Sequence, residues 1–184
     1  VSYCGIRFAG GGPKSPPPDT DALLRCMLTF DWLPCTYSTM LTEAESLRRV
    51  APLTARKCND DVGTLLDLAQ ITDFDYVQRP LVEHCNSDRS RGAQPGCVDI
   101  RKRIFFEEYD HLYDEYPPHV RELGKKGLSY GYIYEANDIF EEEWFSWRAV
   151  ESAVKALRTK RHLGSAVAVV SSLFGRPGWQ VAKG

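Results

Sequence analysis

Apolar positions along this chain recur in two rhythms, helical and alternating, and proline or glycine marks most of the places where one stops. Leu23, Leu24, Met27 and Phe30 fall at helical spacing behind Asp19 and Thr20, either of which suits an N-cap, and Pro34 closes the segment. Thr42 followed by Glu45 makes a capping-box pattern that opens a helix ending near Val50, ahead of Pro52. A further helix over residues 60–70 carries Val62, Leu65, Leu66 and Ala69 on one side. Asp99 starts a longer one whose stripe is Ile100, Ile104, Phe105, Leu112, Tyr113 and Tyr116, stopped by Pro117 and Pro118.

The alternating rhythm appears first in Val1 to Phe8, which predicts a short strand running into the Gly and Pro-rich segment Gly10 to Pro18. It returns in Leu128, Tyr130, Tyr132 and Tyr134, predicting a strand over residues 128–135. Asp138 and Glu141 form another capping-box pattern, opening a helix with Phe140, Trp144, Trp147, Val154 and Leu157 and ending in Arg158, Lys160, Arg161 and His162. Ser165 to Phe174 reads as a buried strand, and Pro177 with Gly178 as a final turn. The predicted fold is α+β. It is a helix-rich single domain over residues 1–184, with a small sheet that includes a C-terminal β-α-β unit.

Composition sharpens this picture through the cysteines. Cys4, Cys26, Cys35, Cys58, Cys85 and Cys97 form an even set confined to residues 1–97, leaving residues 98–184 without any. Their gaps of 22, 9, 23, 27 and 12 residues contain no close pair of the kind zinc sites use, so three disulfides bracing the N-terminal half are expected. Cys85 with Cys97 would close the polar loop Asn86 to Gly96, although spacing does not choose among the pairings. Disulfides imply an oxidising compartment, and a chain numbered from Val1 fits one whose signal segment has been removed. The expected location is extracellular, with later uptake into host cells left open.

Charge and hydropathy narrow the partners. A net charge of -2 provides no general attraction for nucleic acid or anionic membrane, so neither is an expected partner. No apolar run approaches the about 20 residues that a membrane-spanning helix needs. No cofactor motif is present. GGGPKS at Gly10 to Ser15 has Pro13 where a phosphate-binding loop needs glycine, and three prolines follow where its helix should start.

Three constellations carry candidate chemistry. Glu107, Glu108, His111, Asp114 and Glu115 share one predicted helix, an arrangement read as its solvated face in preference to a metal site. His84, His111, His119 and His162 with Arg101, Lys102 or Arg103 supply the residue types of a secreted ribonuclease, without a spacing that selects them. Third, Arg7 on the first strand (YCGIR), Ser38 and Thr39 (YSTM), and Glu141 and Glu143 after YIYEA follow one another in chain order. This order resembles ADP-ribosyltransferase toxins. The resemblance implies that Arg7 holds NAD, Ser38 and Thr39 support the cleft, and Glu143 stabilises the developing oxocarbenium charge. Met40 stands where that family has a second serine.

The expected function is therefore binding, with catalysis second. The chain reads as a small secreted effector, a toxin-like virulence factor that binds a protein or surface ligand of a host or competitor. The alternatives are an ADP-ribosyltransferase-like toxin acting through Arg7, Ser38 and Glu143, and a ribonuclease. Loops Gly10 to Pro18 and Asn86 to Gly96 are the expected recognition surface.

Overall fold

A computed structural model describes residues 1–8, 13–14, 19–30, 37–53, 55–84 and 96–183. The chain divides into two compact units, Val1–Val120 and Arg121–Gly184.

In the first unit a small mixed sheet is built around β1 (Ser2–Phe8). Two short strands pair antiparallel with it, β2 (Pro13–Lys14) beside Ile6 and Arg7, and β3 (Met40–Leu41) beside Ser2 and Tyr3. The fourth strand, β4 (Asp75–His84), runs parallel to β1 along its whole length. Pro80 conceals this strand in the sequence, because proline cannot donate to a ladder. The structure accommodates it where the register shifts, from Cys4 opposite Val77 to Gly5 opposite Pro80 and Ile6 opposite Val82.

Helices cover the sheet much as the spacing predicts. Asp19 caps α1 (Thr20–Thr29) by accepting from the Ala22 amide at 2.8 Å, and the helix buries Leu23, Leu24, Met27 and Leu28. It ends at Phe30 in the left-handed region, before Pro34 is reached. Beyond it lie α2 (Ala44–Val50) and α3 (Asp60–Ala69). Thr42 does not cap α2, and its hydroxyl is buried without a hydrogen bond. The long helix expected from Asp99 begins earlier as α4 (Cys97–Arg103), widens to a π turn at Ile104–Glu108 and tightens to a 3-10 turn at Asp110–Glu115. Its stripe still serves the core: Ile104, Phe105, Leu112 and Tyr113 pack with Tyr3, Leu23 and Leu65. The Tyr113 hydroxyl donates to the Leu28 carbonyl at 2.8 Å.

One disulfide joins Cys58 to Cys97, with Cα atoms 6.0 Å apart, fastening the start of α3 to the start of α4. Cys97 therefore takes Cys58 and not Cys85, which would have closed the polar loop and lies outside the described residues together with Cys35. Cys4 is a buried free thiol, and Cys58–Cys97 is the one bridge among the described residues. Cys26 sits half-buried on α1.

The C-terminal unit departs most from expectation. The predicted strand at 128–135 is the middle of α5 (Pro118–Glu142). Its alternation is two helical rows read as one. Leu128, Tyr132, Ala136 and Phe140 recur at fourfold spacing and are buried, while Tyr130 and Tyr134 form the neighbouring, exposed row. Asp138 and Glu141 consequently lie in the last turns of this helix and open no new one. The next helix is α6 (Trp147–Thr159), which starts after Ser146 and buries Ala149, Val150, Ala153 and Ala156. Trp144 and Trp147, expected along one helix, are each 72% exposed at the corner between these helices.

The apolar run at 165–174 is also helical, in α7 (Leu163–Ser172), and the last element is α8 (Gly175–Lys183). No β-α-β unit forms here. A short apolar run fits a strand and a buried helix equally, and small residues decide the outcome: Ser165, Ala168, Ser171 and Ser172 make a buried row that lets helices approach closely. Pro177 sits in the first turn of α8, where a missing N–H costs little. Gly175 has φ 65°, and a Cβ there would lie 2.7 Å from the Trp144 carbonyl, the same oxygen that accepts from the Arg176 amide at 2.8 Å.

Candidate functional site

The helices of the C-terminal unit form two neighbouring pockets, taken together as the two lobes of a cleft. Its first lobe, about 370 Å³, is lined by Tyr130, Ile133, Tyr134 and Asn137 of α5, by Gly164, Val167 and Ala168 of α7, and by Trp179 of α8. Six of these eight residues carry an aromatic or aliphatic side chain. The second lobe, about 340 Å³, is lined by Asn137, Phe140, Glu141, Arg176, Trp179 and Gln180. Asn137 and Trp179 belong to both and form the waist between them.

The waist is held by directed bonds. Trp179, 6% exposed, packs on Phe140 with ring centroids 5.3 Å apart and donates its indole N–H to Asn137 Oδ1 at 3.0 Å. The Asn137 amide in turn donates to Glu141 Oε1 at 3.0 Å. A buried indole keeps its one donor satisfied in this way. Tyr134 on the outer wall is 67% exposed and Val167 opposite is 38% exposed, so apolar surface continues from the cleft into solvent.

One end of the first lobe rests on a histidine. His162 caps α7: its Nδ1 accepts from the Ser165 amide at 3.2 Å, and its own amide donates to Ser165 Oγ at 3.1 Å. On the other side Nε2 meets Ser129 Oγ at 3.0 Å, and that hydroxyl donates to the Ala156 carbonyl at 2.9 Å. With the hydroxyl proton committed, Nε2 carries the ring proton and Nδ1 is the lone-pair acceptor, so the neutral imidazole satisfies every partner. Burial, then the charges of Lys126 and Lys160, push the His162 pKa below its ordinary value. The ring lies 4.9 Å from that of Tyr130, and its edge is what a Cβ at Gly164 would strike, at 3.2 Å. Nearby, Glu122 holds Lys125 at 2.8 Å and also Lys160, which brings its pKa down to about 2.

The residues singled out by sequence fall elsewhere. Arg7 is on β1 in the first unit, and Ser38 is exposed in the 3-10 turn Tyr37–Thr39. That turn is pinned to α3 by the Tyr37 hydroxyl, 2.7 Å from Thr64 Oγ1, and leads into β3 beside β1. Glu143 belongs to the second unit, exposed just past the end of α5 and 4.0 Å from Arg148. The segment YIYEA, from which the resemblance would hang the glutamates, is helical.

For the ribonuclease residues, Arg101 is held by Asn59 at 3.1 Å, Arg103 by Glu108 at 3.1 Å, and His111 by Gln70 at 3.0 Å. His119 is exposed on the first turn of α5, and His162 is the α7 cap. In the acidic cluster Glu108 binds both Arg56 and Arg103, and no group of three or more metal-ligating side chains forms among the described residues. Apart from Pro13, Lys14 and Gly96, the two expected recognition loops lie outside the described residues. The cleft itself escaped the sequence reading because its walls were assigned to strands. Tyr130 and Tyr134 at fourfold spacing were the available clue.

Comparison with protein-family models, with curated protein sequences and with solved structures finds no match to this chain.

Proposed function

We propose that this protein is secreted and acts by binding a molecule of a host or competitor, as a small effector or toxin-like factor, and that the cleft of the C-terminal unit holds that molecule. The observation that carries this reading is an apolar, solvent-open cavity of about 370 Å³ with Tyr130 and Tyr134 on one wall and Val167 on the other. Cavities of this size and lining, with a few fixed polar groups, are the usual form of ligand sites. The Cys58–Cys97 bridge supports an oxidising compartment.

The test is saturable retention of labelled protein on the surface of target cells. Val167→Trp places bulk at the half-exposed lip of the cleft without touching the buried row of α7. Loss of retention with unchanged circular dichroism supports the reading, and full retention contradicts it.

ADP-ribosyl transfer is the second reading. It is favoured by one observation, that the Ser38–Thr39 turn feeds a strand paired with the strand of Arg7. NAD hydrolysis by pure protein, lost in Glu143→Gln, would establish it. No turnover would remove it.

A further inference from the structure

The second lobe of the cleft contains a guanidinium with no ion-pair partner among the described residues. Arg176, half-buried at the start of α8, lines this lobe, and among the described residues its guanidinium meets no carboxylate and no carbonyl. Glu141 lines the same lobe, but its carboxylate accepts from the Asn137 amide, which is tethered through Oδ1 to the Trp179 indole. The lobe thus offers a guanidinium whose five donors are uncommitted among the described residues, beside a carboxylate turned toward the Asn137 amide.

The two lobes follow each other along α5, from Tyr130 to Glu141, a helical rise of about 16 Å. A ligand laid along the helix across Asn137 and Trp179 would meet apolar walls first and the guanidinium last. We infer that the cleft binds an amphiphilic anion, with an aliphatic or aromatic body between Tyr130, Tyr134 and Val167 and a carboxylate or phosphate head on Arg176. The shared chemistry is a single anionic group at one end of an apolar body, whether it comes from a free acid or from a lipid.

This inference rests on the cleft being the binding site, and matched probes separate the two claims. Decanoate, decanol and decyltrimethylammonium have the same chain and differ in head charge. Each is titrated below its micelle concentration and followed by calorimetry. Decanoate is expected to bind saturably and about tenfold more tightly than decanol, the difference of one charge-assisted contact. Arg176→Gln should erase that preference while leaving decanol unchanged, and Val167→Trp should weaken both.

Equal affinity for decanoate and decanol, tighter binding of the cationic probe, or a preference that survives Arg176→Gln overturns the inference. So does failure of all three probes to bind. If Val167→Trp still abolishes cell-surface retention in any of these cases, the cleft reading stands and only the ligand class is wrong. If retention survives that substitution, the cleft reading itself has failed.

Discussion

His162 is the residue whose chemistry reaches furthest, because one ring caps α7, bonds Ser129 and supports Tyr130 at the cleft wall. Protonation must place a second N–H on Nδ1, directly against the Ser165 amide, so the charged ring cannot cap. The folded-state pKa lies below the ordinary 6.5, so between those two values the unfolded chain binds more protons than the folded one. The cap's contribution is therefore whole above pH 6.5 and is lost as pH falls through 6.5 toward the folded value. Urea unfolding at a series of pH values should show this decline in the wild type. His162→Asn, which keeps a capping oxygen but does not titrate, should flatten it. His162→Ala should cost about 1 kcal/mol at neutral pH, as lost caps do. An unchanged pH profile in His162→Asn would show that the decline comes from other groups.

At the scale of elements, the N-terminal helices were legible because their buried faces are contiguous in sequence and end at caps or prolines. Leu23, Leu24 and Met27 are an example, and Val62, Leu65 and Leu66 are another. The C-terminal helices were not, for two physical reasons. Tyrosines at 130, 132 and 134 place a buried row and an exposed row on consecutive even positions, which imitates a strand. In α7 the valines that suggest β structure, Val167 and Val170, point outward, while serine and alanine face the core. β4 was hidden by a proline that a register shift absorbs. The α7–α8 turn is a place where a single atom should matter. Gly175→Ala adds a left-handed penalty of about 1–2 kcal/mol and a contact with the Trp144 carbonyl, so thermal melting should drop by several degrees. A melting point equal to wild type would mean the turn relaxes freely.

For the whole molecule, the single described disulfide lies within one of the two units. A bridge spanning 39 residues contributes about 4 kcal/mol through loop closure in the unfolded chain. Reduction should therefore accelerate amide hydrogen exchange in α3 and α4 and leave α6 and α7 at their oxidised rates. Uniform acceleration through both units would show that they unfold together. The same method addresses the central claim, that the C-terminal cleft is where this protein meets its target. Hydrogen exchange should be measured on protein retained at the target cell surface and compared with free protein. The account predicts added protection at residues 130–137, 163–168 and 176–180, and none concentrated in residues 1–120. Protection confined to the first unit, with the cleft segments exchanging as in the free protein, would contradict it.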